Sequence, residues 1–365
     1  MIDLTTMSHK HAALIATAIL TLAAPAALIA AKDSTDIPRR PDGRPDLSGT
    51  YDIATLTPRA RPAEYGDRLE LTAEEAKALA DHWNGNFGKD SLPSDPDREA
   101  PPKGGVSVYA PELTGAAGKV GGYNAFFLDK GNNAFQIDGK YRTSILTDPP
   151  DGQYPARSAL GKRLQEERAY FRHENTGTAW WLEEGLETGP YDHPEQRPLA
   201  ERCIFTGGAS GPPIMPSLYN NLKTIVQTDD YVMINIEWMH DTRIIRIDGE
   251  HGPDTVTSLT GDSIGRWDGD TLVVETRSFT ERPGVAKGFQ VVERFRRTDE
   301  DTVVYSFKVD DPAFSEPYSG EYPWPRTDNR LYEYACHEGN YAMGNIMRGA
   351  RLLEEETLAG IAKSQ

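Results

Sequence analysis

The sequence predicts an all-β fold: an antiparallel meander closed into a lipocalin- or calycin-like barrel, with an N-terminal wrapping region and two short helices. Alternating apolar and polar runs follow one another at 223–228, 231–240, 242–248, 254–260, 270–279, 289–297, 301–310 and 330–336. Period-two alternation is the pattern of a half-buried strand. The turns between the runs are short and built from Asp-Asp, Asp-Gly and Asp-Glu-Asp, with no helical period intervening. That spacing points to a sandwich or barrel, and closure is the economical way to remove the edges of so many strands.

Upstream of the meander the order is different. His9, Lys10 and His11 precede an apolar run from Ala12 to Ala31, which is interrupted by Pro25 and ends in small residues. This is the composition of a secretory signal peptide, cleaved after Ala26 or Ala31. Residues 32–119 read as an arm rich in Pro, Arg and Asp, carrying one helix at 72–83 with Thr72 and Glu75 at capping-box spacing. Strand signals at 124–128 and 134–137 flank a turn, and a second helix is predicted at 158–173. The barrel domain is expected over 120–351 and a C-terminal tail over 352–365.

The net charge of -17 repels phosphate backbones and anionic lipid surfaces, which argues against nucleic acid as a partner. With no other long apolar run, no stable membrane association is expected after signal cleavage, and the mature chain is expected in the periplasm or secreted. In such a compartment the two cysteines, Cys203 and Cys336, are expected to form a disulfide, with two free buried thiols as the alternative.

The stretch from Asp229 to Arg246 concentrates the candidate chemistry. Read as a hairpin turning at His240-Asp241, it places Ile234, Ile236 and Trp238 on one face with Arg243, Ile245 and Ile247. Asn235, Glu237 and Met239 fall on the other with Thr242, Ile244 and Arg246. A histidine beside a carboxylate serves as a general base, a metal ligand or a surface turn, and both His240-Asp241 and His337-Glu338 sit at the ends of predicted strands. Glu237, Glu275, Glu293 and Glu333 each interrupt an apolar alternation. An inward-facing acid of this kind needs an arginine such as Arg243, Arg246 or Arg294. Tyr219, Trp238, Trp267, Tyr341 and several other aromatics lie near the same places and suit either a core or an aromatic pocket.

Gly261-Asp262-Ser263-Ile264-Gly265 matches the nucleophile elbow of hydrolases, but a strand rather than a helix follows it, so a tight glycine turn is the better reading. No zinc-ligand spacing is present. If a metal binds, its ligands are expected among His240, Asp241 and His337.

Pro45-Asp46-Leu47-Ser48-Gly49-Thr50-Tyr51, the block at 261–276 and YEYACHEGNY at 332–341 resemble an uncharacterised family of exported bacterial proteins, as do 201–207 and 225–249. The family more often carries Trp where this chain has Tyr51. The resemblance implies export and a shared fold.

The chemistry is therefore expected to be that of an exported small-molecule-binding barrel. The first expectation is cofactor-independent acid/base catalysis, of isomerase, lyase, hydratase or cyclase type, on a largely apolar or aromatic molecule. His240 with Asp241 supplies the base, and His337 or Glu237 the acid. Arg243, Tyr341, Trp238, Tyr219, Trp267 and Glu338 bind the substrate. The alternatives are a non-catalytic periplasmic carrier of a hydrophobic ligand and a serine- or metal-dependent hydrolase. A pocket walled by His240 and His337 favours the enzyme; one lined by neither favours the carrier.

Overall fold

A computed structural model describes residues 37–90, 97, 128–169, 176–282 and 285–364. The chain divides into two compact units, Met1–Ser34 and Thr35–Gln365, and every described residue belongs to the second. The signal peptide expected at 1–31 and all but the last residue of the strand expected at 124–128 lie outside the described residues.

Six of the eight alternating runs, all but 254–260 and 330–336, form strands of one large sheet, and 262–268, expected as a tight turn, and 318–325, not expected as a strand, supply two more. These are β6 (Leu222–Gln227), β7 (Tyr231–Ile236), β8 (Thr242–Ile247), β9 (Asp262–Asp268), β10 (Thr271–Arg277), β11 (Gln290–Arg297), β12 (Thr302–Asp310) and β13 (Tyr318–Pro325). Each pairs with the next, antiparallel except at β8–β9. Two strands from upstream complete it: β1 (Gly49–Asp52) on the free edge of β6, and β5 (Leu146–Asp148) on that of β13. A separate small sheet of β2 (Glu70–Leu71), β4 (Lys140–Arg142) and β3 (Gln136–Ile137) packs Ile137 into the core of the large one.

Register explains the core. Ile225, Ile234, Arg243, Ser263, Thr276, Glu293, Phe307 and their diagonal neighbours fall on one face because paired residues in adjacent strands share a side. That face carries the core, including Phe295, Tyr305, Tyr322 and Trp324, all essentially inaccessible.

Three expectations change. The ten-stranded sheet curls into a half-barrel that is open, not closed. β5 occupies the edge of β13 at Ser319 and Gly320, and the far edge strand β1 meets the end of β13 at the isolated bridge from Tyr51 to Arg326, where the Thr327 amide also donates to the Thr50 carbonyl. Residues 203–215 pack Cys203, Ala209, Ile214 and Met215 into the same core. Second, 254–260 forms turns rather than a strand, with Val256 two-thirds exposed. A strand there would have run between β8 and β9 and opposite to both. Without it the two become direct, parallel neighbours. Third, 330–336 is not a strand: it leaves the sheet with Tyr332 exposed and is tied down by the Cys203–Cys336 disulfide.

The arm wraps the sheet through specific bonds. The Leu47 amide donates to Gln227 Oε1, Arg40 donates to the Gln227 carbonyl and pairs with Asp229, and Arg39 pairs with Asp270. Helix α1 (Ala73–Asp90) begins at the capping box: the Thr72 amide donates to Glu75 Oε2 and the Glu75 amide to Thr72 Oγ1. Helix α2 (Ala159–Ala169) and the short α3 (Trp180–Glu183) follow. At the other end come α4 (Cys336–Gly339) and the long α5 (Tyr341–Ser364), which packs Ala350 and Leu353 against Trp180 and Trp181. Residues 352–364, expected as a tail, are the second half of this helix.

Candidate functional site

The inner face of a β-sheet is ordinarily apolar, so its polar residues are informative. Arg243 extends from β8 across the faces of β9 and β10. Its Nε donates to Ser263 Oγ at 2.9 Å, Nη2 to Thr276 Oγ1 at 2.8 Å, and Nη1 to Glu293 Oε1 at 2.9 Å. Nη2 also bonds Glu293 Oε2. The Tyr305 hydroxyl donates to Glu293 Oε1 at 2.8 Å and accepts from the Ile214 amide, while the Tyr322 hydroxyl donates to the Ile214 carbonyl. This closed network anchors residues 203–215 to the sheet. Burial and the Glu293 charge push the Tyr305 hydroxyl well above the usual phenol range. Arg243 is therefore spent on Glu293, Ser263 and Thr276, and is not free to orient a ligand.

Ser263 sits inside β9, bonded to Arg243 and Thr276, with no histidine hydrogen-bonded to its hydroxyl among the described residues. The glycines around it have packing reasons. A Cβ at Gly265 would lie 2.9 Å from Ile245, and Gly261 has φ +75° against Thr276 and Phe279. The elbow resemblance arises from a tightly packed strand start.

A cavity of about 1130 Å³ opens at the end of the sheet where β10 and β12 finish and β11 and β13 begin. Phe279, Phe289, Phe307, Phe314 and Tyr318 come from the sheet and its loops, Leu164 from α2, and Leu199 to Met215 supply the opposite wall. Tyr154, Phe314 and Tyr318 form an aromatic group, with ring centroids 5.9 and 5.1 Å from Tyr154. Burial raises the Tyr318 hydroxyl and the Asp311 carboxyl at this wall. Five arginines also line it: Arg59, Arg157, Arg197, Arg202 and Arg282.

The residues singled out from sequence gather partly at the same end, behind a partition. β7 stops at Ile236, and Glu237 to Asp241 form the turn, with Met239 and His240 at positive φ. A strand would have sent Trp238 and Met239 to opposite faces; the kinked turn buries both. Trp238 is stacked between Tyr219 and Tyr334, at centroid distances of 4.3 and 5.9 Å, and His240 lies edge-on to Tyr334. Ser210 joins this group to residues 203–215 by donating to the Trp238 carbonyl. The far side of that segment, at Thr206 to Gly208 and Gly211 to Pro213, faces the cavity.

None of the residues expected to act on or bind a substrate in the acid/base reading lines the cavity. His240, His337, Glu338 and Tyr341 are exposed, and Trp267 is half-buried at the opposite end of β9 under the Arg44 guanidinium. Glu237 is buried and accepts from the Leu222 amide, beside the fully buried Lys223. Desolvation lowers the Lys223 ammonium to about 8 against the pull of Glu237, Asp52 and Asp129. Burial raises Asp241 to about 6, with the Ser210 hydroxyl and the His240 charge opposing the shift. Among the described residues no group of three or more His, Cys, Asp or Glu is placed to hold a metal ion.

The cavity residues escaped sequence reading because they come from scattered loops. One trace was legible: the block at 201–207, which supplies Arg202, Phe205 and Thr206. No protein family, curated protein or solved structure matches this chain.

Proposed function

We propose that the protein is an exported small-molecule carrier that holds a partly aromatic ligand in the cavity at the end of the half-barrel. The observation that carries this reading is the wall itself: aromatic rings from the sheet face a loop segment, and neither His240 nor His337 is present. Ligand sites are concave and combine apolar surface with polar groups that fix orientation, and this cavity sets aromatic and aliphatic side chains beside arginines and carboxylates. The reading treats the curled sheet as a lipocalin-like container whose open side is closed by residues 203–215.

Export is supported by three features. These are the leader-like N-terminus, the resemblance to exported proteins, and the Cys203–Cys336 disulfide, a bond that persists in oxidising compartments. Among the described residues no helix is long and apolar enough to cross a membrane.

The test is titration with N-phenyl-1-naphthylamine, a neutral apolar probe that fluoresces when shielded from water. The wild-type chain should bind it saturably. Leu199→Trp, which fills the cavity wall, should weaken binding at least tenfold, whereas His240→Ala should leave it unchanged. Equal loss in His240→Ala would return the site to the turn at 237–241.

A further inference from the structure

Resting on the cavity as the ligand site, we propose that its ligand is an organic anion: an apolar or aromatic body bearing a carboxylate, sulfonate or similar acidic group. In a chain of net charge -17, the cavity wall is unusual for the arginines that lack carboxylate partners.

Arg282 is the clearest case. Its guanidinium lies over the Phe205 ring at 4.6 Å and, among the described residues, donates only to the backbone carbonyls of Thr280 and Leu259, at 3.3 and 3.1 Å. Arg202 makes no side-chain hydrogen bond or ion pair among the described residues. Among the described residues Arg59 bonds only the Pro216 carbonyl, at 2.8 Å, and Arg157 lies over Phe314 at 5.1 Å with the Asp311 charge as a counterweight. Arg197 is neutralised by Glu201 at 2.9 and 3.1 Å.

The acids of the wall do not balance the rest. Of its four acids, Glu201 is consumed by Arg197, Asp311 accepts from the Ala313 amide, and Glu195 and Glu281 are exposed and make no ion pair among the described residues. Burial moreover favours the neutral form of the Asp311 carboxyl.

A half-buried guanidinium without a counter-ion carries an unrecovered desolvation cost. It is also preorganised to grip a planar anion through two parallel N–H donors. The surrounding rings receive an apolar body, and arginines stacked on such rings leave their N–H edges for the ligand. Thr206 Oγ1, buried at the same wall with no partner among the described residues, supplies one further hydrogen bond.

The experiment compares N-phenyl-1-naphthylamine with 8-anilinonaphthalene-1-sulfonate, which shares its ring system and adds one sulfonate. The wild-type chain should bind the sulfonate at least tenfold more tightly. Arg202→Gln, which removes a charge without breaking a side-chain hydrogen bond or ion pair among the described residues, should reduce that preference several-fold, and Arg282→Gln should reduce it further. The neutral probe should lose less affinity in both variants than the sulfonate does. Equal affinity for the two probes, or a preference unchanged in both variants, overturns the anion proposal while leaving the cavity as an apolar site. Sulfonate binding that Leu199→Trp does not weaken places the probe elsewhere and also overturns it. Binding of neither probe overturns the cavity reading itself.

Discussion

Arg243 on β8 and Glu293 on β11 form an ion pair across the inner face of the half-barrel, with side chains 2% and 0% exposed. Two strands separate them, and the guanidinium bridges the gap by hydrogen-bonding Ser263 and Thr276 on the way. Two buried charges are tolerated only where geometry satisfies them. Here Tyr305 completes the carboxylate and ties the pair to Ile214 in the segment that walls the cavity.

Removing one partner strands the other. Arg243→Ala should cost about 3–5 kcal/mol, the range for breaking a buried pair, read as a shift in urea midpoint at constant slope. The double replacement Arg243→Met with Glu293→Leu should recover most of that loss. A single variant that costs under about 1 kcal/mol would show that the network is not closed.

Ser263 should behave as a structural hydroxyl. Ser263→Ala removes a hydrogen bond to a charged group and should cost about 1–3 kcal/mol, and a serine-directed phosphonate should leave residue 263 unlabelled by peptide mass mapping. Labelling there would restore the hydrolase alternative.

Lys223 makes a prediction about pH. Its ammonium titrates near 8 in the folded chain, below its ordinary 10.5. Between those values the unfolded chain binds more protons than the folded one, so this group makes stability rise with pH across roughly 8 to 10.5. Lys223→Met should flatten that rise in denaturation curves taken across the window. An identical slope in variant and wild type would mean that the lysine is not desolvated as placed.

The disulfide joins Cys203, beside the cavity residues Arg202 and Phe205, to the start of α4 across a separation of 133 residues. Chain-entropy arguments put its contribution at about 4–5 kcal/mol at most for a loop this long. Reduction, or the Cys203→Ser/Cys336→Ser pair, should lower the melting temperature and weaken probe binding together, because Asn340 also holds the Glu201 carbonyl at this junction. Lower stability with unchanged binding would uncouple the junction from the cavity.

What was legible in the sequence was local. Thr72 and Glu75 announce their helix because a capping box is four residues long, and the alternation of β6, β7, β8, β10, β11 and β12 announces strands because the pleat has period two, whereas β9 and β13, interrupted by glycines and prolines, escape it. The need of an inward Glu293 for an arginine was also legible, and Arg243 meets it. Pairing choices were not. Residues 254–260 alternate like a strand, yet exposed Val256 and Pro253 turn them outward, and β8 and β9 join without them. Residues 330–336 alternate too, but the β13 edge beyond them is already taken by β5 and the Tyr51–Arg326 bridge. The cavity was the least legible part. Arg59, Arg157, Arg202 and Arg282 have no common spacing, and only the closing of distant loops on one end of the sheet brings them together.

The most direct test of the cavity as the ligand site is amide hydrogen exchange with and without saturating 8-anilinonaphthalene-1-sulfonate. The account predicts slowed exchange in residues 199–215 and around Phe279 and Phe289, with 238–241 and 332–341 unchanged. Protection confined to the turn at 238–241 and the segment at 332–341 would contradict it and place the site on the histidine rim.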